Sequence, residues 1–285
     1  MQIKIMDEMT KAEISTFGAE LKSLIIEGRE LLWQGNSAIW DGRATVLFPF
    51  IGRCCCDSYL YQGQRYNMGL HGFAWKQEFQ LVEKNENSCQ LELTDNSETR
   101  ANYPFAFTFR VGFRLHKGSM RVSFMVHNRS QKVMPFALGW HPGFALETAP
   151  EDYCVHFFES QTAEEICIVT KCMITGKTKT AEWREKMPLS REMFLSSARV
   201  FRGLGSSARL KDNQGRVMAH MEYPGFPVTT LWQTLGSGAG FVCIEPWIGR
   251  PGRYDTTEEL GKDGKVCLSP SEVFYREIVI NSSDR

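Results

Sequence analysis

Apolar and polar residues alternate with a period of two along much of this chain, which is the pattern of β-strands with one buried face. The clearest case is a hairpin in which Phe107–Leu115 and Met120–Val126 form strands joined by a turn at residues 116–119. Further strands are predicted at Ala12–Thr16, Glu20–Ile26, Glu30–Trp33, Phe79–Glu83, Cys89–Thr94, Val217–Met221, Thr229–Gln233, Gly240–Glu245 and Phe274–Ile280. Helical periodicity is weak and predicts only short helices at Thr180–Met187 and Arg191–Ala198.

Many strands separated by turn signals, with few short helices, predict an all-β fold built as a large antiparallel β-sandwich. All-β sandwiches often reach 285 residues as one unit. No internal repeat, low-complexity tract or linker-like change of composition divides the chain. We therefore expect a single domain over residues 1–285.

The charge balance argues against polyanionic partners. Lysine plus arginine and aspartate plus glutamate both number 33, so the formal net charge is zero and no attraction to nucleic acid or membrane is predicted. The apolar runs are too short to cross a bilayer, and the first residues lack the order of a secretory signal. Nine cysteines without regular spacing favour free thiols. We expect a cytoplasmic monomer or homodimer.

Two of the six histidines stand in unusual surroundings. His141 follows Trp140 and precedes Pro142, which disfavours ladder pairing and biases His141 towards an extended backbone at a strand end, facing a cleft. His71 lies in the segment Gly69-Leu70-His71-Gly72, and glycines at such positions let a backbone approach a ligand closely. Either histidine taken alone is more simply explained as a structural residue.

Two charged residues adjoin apolar runs. Glu245 closes the apolar strand that begins at Gly240, and Pro246 is expected to end the ladder, which would leave Glu245 at the edge or mouth of the sheet. An ordinary exposed acid is the alternative. Arg53 follows the apolar run 46–52, where a lone arginine is usually a surface residue. In a sugar site it would offer a fork of donors to hydroxyls.

Taken together, these segments resemble the aldose 1-epimerase family, specifically its LacX-like branch, in order and spacing over most of the chain. The segments that carry the resemblance are Gly18–Leu21, Leu32–Gln34, Leu47–Arg53, His71–Ala74, Met134–Phe136, Gly139–Phe144, Thr230–Gln233 and Cys243–Trp247. The resemblance implies a galactose-mutarotase-like sandwich with a sugar on its concave face. It implies His141 as general acid, Glu245 as general base, and His71 and Arg53 as sugar-contacting residues, with no metal and no cofactor.

The tryptophans Trp140, Trp232 and Trp247 offer an apolar platform for a sugar ring, with core packing as the alternative. The chain also departs from the family pattern. Trp75 stands where relatives commonly carry arginine, no counterpart of an Asp-His element precedes the final strands, and Ser271 replaces a usual glycine. The first two departures bear on which sugar is preferred.

The expected function is aldose 1-epimerase (mutarotase) activity, which interconverts the α and β anomers of a neutral aldohexose. Arg250 and Arg253 follow Glu245 in a Gly/Pro-rich loop, and Arg53 could join them, which leaves a hexose-6-phosphate 1-epimerase open. Pairing of these arginines with acids such as Asp255 is the simpler interpretation.

Three other interpretations remain. One is a carbohydrate-binding or regulatory β-sandwich without turnover. A glycoside hydrolase would normally need two carboxylates, whereas only Glu245 stands out. A metal site of His71, His141 and Glu245 lacks any short-spaced ligand pair. Finally, strand alternation puts Cys243 on the same face as Glu245, so that it is a candidate for the floor of the site. A small buried hydrophobe is the equally favoured alternative.

Overall fold

The computed structural model of the protein describes residues 1–157, 163–169, 171–181, 185–195, 198–234, 240–262 and 264–283. Helix α1 spans Ser97–Asn102, and single turns of 3₁₀ helix lie at Cys55–Asp57, Ala74–Lys76, Pro150–Asp152 and Glu192–Phe194. The strands up to residue 145 are β1 (Gln2–Met6), β2 (Thr10–Ser15), β3 (Glu20–Ile26), β4 (Arg29–Glu30), β5 (Ala44–Leu47), β6 (Ser58–Tyr61), β7 (Gln64–Asn67), β8 (Gln80–Lys84), β9 (Ser88–Thr94), β10 (Phe107–His116), β11 (Ser119–Asn128), β12 (Met134–Phe136) and β13 (Leu138–Ala145). The later strands are β14 (Tyr153–Phe157), β15 (Glu164–Val169), β16 (Met173–Thr180), β17 (Lys186–Pro188), β18 (Arg199–Arg202), β19 (Ser207–Asp212), β20 (Val217–Glu222), β21 (Val228–Trp232), β22 (Phe241–Ile248), β23 (Glu258–Glu259), β24 (Val266–Leu268) and β25 (Val273–Asn281).

Two large sheets dominate the described part of the chain. One has nine strands in the order β17-β14-β19-β20-β25-β11-β10-β9-β8, and the other has seven in the order β16-β15-β18-β21-β22-β13-β5. Smaller sheets are formed by β1 to β4, by β23 with β6 and β7, and by β12 with β24. Neighbouring strands within both large sheets are antiparallel, which confirms the predicted all-β antiparallel fold.

The core lies between the two large sheets. Val242 and Ile244 of β22 and Trp140 of β13 share one buried cluster with Phe109 of β10. Phe48, just after β5, stacks on Phe109 with ring centroids 4.5 Å apart. Every residue of β22 is buried, because the sheet face opposite the core is also covered. The face away from the core carries the candidate site.

The predicted hairpin is confirmed. Strands β10 and β11 pair in one continuous register from Phe107↔Asn128 to His116↔Ser119. The two-residue loop Lys117–Gly118 has positive φ at both positions (46° and 79°), which suits the twist of a tight hairpin. The other predicted strands also lie on observed strands, with shifts at their ends. Glu30–Trp33 is the exception in extent, because only Arg29–Glu30 forms a strand there.

The helix predictions fare worse. Thr180 ends β16, and Lys186 and Met187 belong to β17, so the predicted helix Thr180–Met187 is wrong at both ends, while residues 182–184 lie outside the described part. Of Arg191–Ala198 the structure has one 3₁₀ turn, and residues 196–197 are outside it. Helix α1 was missed, although Asn96 caps it by accepting a hydrogen bond from Thr99 N. Over the described ranges no helix is long and apolar enough to span a membrane.

Two prolines do not end their strands as expected. Strand β13 continues through Pro142, which pairs with Ala44 of β5. Strand β22 continues through Pro246, which pairs with Thr229 of β21. Between these two strands the pairing skips from Gly139↔Trp247 to Gly143↔Cys243, and both prolines, which lack an N–H donor, lie in that gap. Glu245 is therefore inside a central strand and 1% exposed, not at the edge of the sheet.

Candidate active site

A row of side chains crosses the seven-stranded sheet on the face away from the core. Thr45 pairs with His141, Glu245 pairs with Thr230, and Thr230 pairs with Val200. Residues directly opposite on antiparallel strands project from the same face and lie close together. The row therefore crosses five strands. It begins with the hydroxyl of Thr45 on β5 and the imidazole of His141 on β13, and it ends with the aliphatic side chain of Val200 on β18.

His141 and Glu245 are the centre of this row. Counting inward from Gly139↔Trp247 and Gly143↔Cys243 places the two residues opposite each other. His141 Nε2 lies 3.2 Å from Glu245 Oε1. The second carboxylate oxygen, Oε2, accepts a hydrogen bond of 3.2 Å from Trp247 Nε1. The carboxyl is thus held on both oxygens, by an imidazole and by an indole.

Two glycines make room around His141. A Cβ at Gly143 would lie 2.8 Å from Trp40 Cζ3, and a Cβ at Gly139 would lie 2.8 Å from Trp247 Cδ1. The absence of a side chain at Gly143 lets Trp40 pack on the imidazole of His141, with ring centroids 5.1 Å apart. Trp232 meets the same imidazole edge-on at 5.4 Å. The Gly-Trp-His-Pro-Gly sequence thus seats His141 among aromatic rings.

Burial disfavours charge on both members of the pair. It lowers the pKa of His141 to about 4 and raises the pKa of Glu245 well above its ordinary value. The hydrogen bond from Trp247 opposes the rise at Glu245 only in part. The two shifts reverse the ordinary order of the pKa values, so that the uncharged pair with its proton on Glu245 is favoured at rest. A titratable acid and base 3.2 Å apart, both with perturbed pKa values, suit general acid–base chemistry.

His71 is oriented by the backbone of the neighbouring loop. Its Nδ1 accepts a hydrogen bond of 3.1 Å from Gly52 N, which fixes the remaining proton of the neutral ring on Nε2. Burial lowers its pKa to about 3, with the charges of His141 and Arg53 acting in the same direction. The ring stands perpendicular to that of His141, with centroids 5.8 Å apart. His71 is therefore a neutral donor beside the pair, held at a φ of 59° that side chains seldom adopt.

The glycine after His71 has a different role from the one expected. A Cβ at Gly72 would lie 2.3 Å from Phe48 O, so this glycine lets two backbone segments meet. The predicted close approach of backbone to a ligand is not what Gly72 provides.

The row opens into a cavity of about 280 Å³, slightly below the usual range of ligand pockets, which is about 300–1,000 Å³. Its walls carry four of the seven tryptophans, an aliphatic patch and a few polar groups. The described residues that line it are Trp40, Thr45, Leu47, Leu70, His71, Trp75, His141, Ile168, Cys172, Ala198, Val200, Trp232, Glu245, Trp247 and Pro251.

Five of the six residues predicted for the site meet in this cavity: His71, His141, Trp232, Glu245 and Trp247. Arg53 does not line it. Its Nη1 lies 2.8 Å from Asp57 Oδ1, and its side chain is one-third exposed. The charge of Arg53 still reaches the site, because it helps to lower the pKa of His71.

Two other expectations change. Trp140 faces the core, where its Nε1 donates a hydrogen bond to Ala44 O, so it offers no surface to the cavity. Cys243 shares the face of Glu245 but is fully buried against Phe241, beneath the cavity. The thiol that lines the cavity is that of Cys172.

The metal-binding set predicted as an alternative is also different. Across the described ranges, donor atoms of His141, Cys243 and Glu245 lie within 4.8 Å of one another, and His71 is outside this group. Such a mixed nitrogen, sulfur and oxygen set suits a borderline cation such as Zn²⁺.

Sequence reasoning missed Trp40, Thr45, Leu70 and Cys172 as lining residues. Thr45 is on the strand next to His141 and faces the same side, but this pairing is visible only in the structure. Trp40 and Cys172 reach the cavity from segments before β5 and between β15 and β16, and no local periodicity reports such a long-range approach. Trp75, noted only as a departure from a family pattern, forms part of the wall.

These features define an all-β sandwich with a small aromatic cavity around a buried imidazole–carboxylate pair. The chain belongs to the aldose 1-epimerase family, whose family model matches residues 1–263. It is 31% identical over 268 residues to the plasmid-encoded protein LacX of Lactococcus lactis subsp. lactis, an alignment that covers 87% of this chain and 88% of LacX.

Two solved structures superpose closely on this one. A galactose mutarotase related enzyme from Lactobacillus acidophilus is 31% identical, with a TM-score of 0.93 over 100% of this chain and 99% of the other. A galactose mutarotase-like protein from Lactobacillus casei is 25% identical, with a TM-score of 0.94 over 99% of each chain. The fold and the family predicted from the sequence are confirmed.

Proposed function

We propose that this protein is an aldose 1-epimerase (mutarotase) that interconverts the α and β anomers of a neutral aldohexose. The observation that carries the proposal is the 3.2 Å separation of His141 Nε2 and Glu245 Oε1 in a small aromatic cavity. Membership of the aldose 1-epimerase family supports a sugar epimerase, and the anomeric reaction and the roles of the residues are our inference.

Glu245 acts as the base and His141 as the acid. Glu245 removes the proton of the C1 hydroxyl while His141 protonates the ring oxygen O5, so that the C1–O5 bond breaks and a C1=O double bond forms. Rotation about C1–C2 turns the other face of the aldehyde to O5, and the reverse proton transfers close the ring. O1 and O5 are bonded to the same carbon, so acid and base must stand a few ångström apart, which fits this pair.

The proton count balances over the cycle. Opening converts a carboxylate and an imidazolium into a carboxylic acid and a neutral imidazole, and closure restores them. Burial favours the uncharged forms of both groups, which match the open-chain stage. Each positioned group contributes about 10²–10⁴-fold to the rate in typical enzymes.

Other groups in the cavity hold the sugar in this proposal. His71 Nε2–H donates to a sugar hydroxyl, and Trp232 and Trp247 cover the apolar face of the ring. Arg53 has no direct contact with the sugar here, because Asp57 engages its side chain.

A neutral sugar fits better than a phosphorylated one. The described lining residues include no lysine or arginine. Arg253 is engaged by both carboxylate oxygens of Asp255, at 2.9 and 2.8 Å, as the simpler interpretation of the sequence has it. Glu245 is also the only carboxylate among those lining residues, whereas glycoside hydrolysis normally uses two.

We further infer a reducing location such as the cytoplasm. All nine cysteines lie in the described ranges and none forms a disulfide. Five of them are exposed or half-buried, where an oxidising compartment would put their thiols at risk: Cys55, Cys56, Cys167, Cys172 and Cys267.

Polarimetry of freshly dissolved α-D-glucose and α-D-galactose tests the function directly. We expect Glu245→Gln and His141→Asn each to slow enzymatic equilibration by about 10²–10⁴-fold. Glu86→Gln and His116→Asn make the same changes at exposed positions and should equilibrate anomers at the wild-type rate. Circular dichroism establishes that each variant is folded. A folded Glu245→Gln or His141→Asn variant with wild-type rates would overturn the assignment.

A further inference from the structure

The cavity is polar at one end and apolar at the other. Along the cross-strand row, the polar groups of Thr45, His141 and Glu245 lie on β5, β13 and β22. Thr230 on β21 comes next, but it is fully buried and is not among the lining residues. The row then continues on β18 with Val200, which pairs with Ile166 of β15. Ala198 and Ile168 complete this aliphatic end of the lining.

The remaining wall is largely apolar, because its indole donors are already engaged and its other polar group is the thiol of Cys172, which hydrogen-bonds only weakly. Trp75 Nε1 donates to Leu70 O at 3.1 Å, so the indole turns no free donor towards a ligand. Trp247 Nε1 likewise already donates a hydrogen bond, to Glu245 Oε2 at 3.2 Å. Pro251 adds only an apolar ring. A ligand hydroxyl placed against this end would lose its water partners and gain none, which is unfavourable.

The polar end can satisfy only part of a hexose. His71 Nε2–H and the Thr45 hydroxyl lie there, and the Thr45 hydroxyl has no hydrogen-bond partner among the described residues. These donors suit the ring hydroxyls next to the reacting carbon. The aliphatic end favours an apolar substituent, such as a methyl group, instead.

We propose that the substrates favoured by this enzyme are 6-deoxyhexoses, whose C6 methyl group is buried at the aliphatic end formed by Ile168, Ala198 and Val200. This inference rests on the proposed mutarotase function. C6 is the only carbon outside the pyranose ring, so its deoxygenation is the change that yields a methyl group. Loss of a ring hydroxyl would leave a ring methylene and no group to fill the aliphatic end.

The expected size of the preference follows from the discrimination that apolar pockets typically achieve. A pocket built for a methyl group discriminates against an added hydroxyl by about 10- to 100-fold in kcat/KM. The same end should not reject pentoses sterically, but a pentose has no methyl group to bury there. It is therefore expected to react less efficiently than a 6-deoxyhexose of the same ring configuration.

The test uses two matched sugar pairs, D-galactose with 6-deoxy-D-galactose and D-glucose with 6-deoxy-D-glucose. Each pair differs only at C6, and anomer exchange is measured by polarimetry or exchange NMR. We expect the deoxy member of at least one pair to have a kcat/KM about 10- to 100-fold higher. Equal values within both pairs, or higher values for the parent hexoses, would overturn the inference and leave the mutarotase function standing. Exchange of none of the four sugars would overturn both.

Substitutions at the aliphatic end separate this explanation from a general preference for apolar sugars. Val200→Thr keeps the side-chain shape but replaces one methyl group with a hydroxyl, and should reduce the deoxy-to-parent ratio severalfold. Ala198→Ser makes a similar change at a less buried position, and serves if Val200→Thr does not fold. Val273→Thr, on the exposed face of the nine-stranded sheet, should leave the ratio unchanged. A wild-type ratio in folded Val200→Thr and Ala198→Ser would rule out this end as the methyl site.

Discussion

His141 and Glu245 lie opposite each other on adjacent antiparallel strands, with Nε2 of the imidazole 3.2 Å from Oε1 of the carboxylate. The prolines that follow them in sequence, Pro142 and Pro246, lie in the only interval of that strand pair where pairing is skipped. The fold thus brings an acid and a base together from positions about a hundred residues apart in the chain.

The first prediction concerns the pH dependence of anomer exchange. A working pair holds one transferable proton. Below the pKa of His141, lowered to about 4, both groups are protonated and Glu245 cannot act as a base, so kcat/KM should fall as pH falls through about 4. Above the raised pKa of Glu245 both groups are deprotonated, so kcat/KM should fall again as pH rises through that value. The two limbs report the pair rather than either residue alone.

Rates measured from acid to alkaline pH, corrected for spontaneous mutarotation, check this profile. We expect a plateau that begins above about pH 4 and ends at the raised pKa of Glu245. An acid limb centred near 6.5, the ordinary pKa of histidine, would contradict a His141 whose pKa burial has lowered.

The second prediction isolates the indole that holds the base. Trp247→Phe keeps an aromatic ring but removes the hydrogen bond from Nε1 to Glu245 Oε2. Because that bond lowers the pKa of Glu245, its loss should move the alkaline limb to higher pH. It should also reduce kcat by about 10- to 150-fold, as expected for a bond to a charged group worth about 1.5–3 kcal/mol.

Trp75→Phe is the matched control for this change. It removes an indole hydrogen bond in the same cavity, but the acceptor is Leu70 O rather than the carboxylate. Its alkaline limb should coincide with that of the wild type. If the alkaline limb moved equally in both variants, general disturbance of the cavity, and not loss of the bond to Glu245, would explain its shift.

How far the sequence predicts this site depends on the range of the contacts involved. His141 and Glu245 were recognisable because each breaks a local pattern, a histidine before a proline and an acid in an apolar strand. The register that places them face to face depends on both sheets packing over their length, and no segment of the chain encodes it alone. Arg53 shows the reverse case, since Asp57 four residues later engages the guanidinium that the apolar run seemed to offer to a ligand.

The third prediction concerns which thiol controls activity. Strand alternation in the sequence pointed to Cys243, but that side chain has no exposed surface, whereas Cys172 lines the cavity. A small thiol reagent should therefore inactivate the enzyme through Cys172, and saturating sugar should slow the inactivation. Burial raises the pKa of Cys172, so inactivation should be slow at neutral pH and faster as pH rises.

Peptide mapping and a Cys172→Ser variant check this assignment. Cys172→Ser should keep activity and resist the reagent, while modification of exposed Cys56 should have no effect on the rate. Inactivation of Cys172→Ser at the wild-type rate, with label on Cys243, would favour the thiol that the strand pattern indicated.

The last prediction tests why glycines flank His141. In Gly143→Ala the new Cβ would stand 2.8 Å from Trp40 Cζ3, closer than side-chain carbons normally approach. Trp40 must then move away from the imidazole on which it packs, with ring centroids now 5.1 Å apart. Overpacking of this kind typically costs about 1–3 kcal/mol of stability. Moving Trp40 also removes an aromatic wall from the acid, so kcat should fall by more than the loss of folded protein explains.

Thermal unfolding together with anomer exchange measures both effects. Gly69→Ala is the control, because its Cβ would meet nothing within 4 Å. If Gly143→Ala kept full kcat despite a lower melting temperature, the contact between Trp40 and His141 would be structural only, because the acid would work without the ring packed against it.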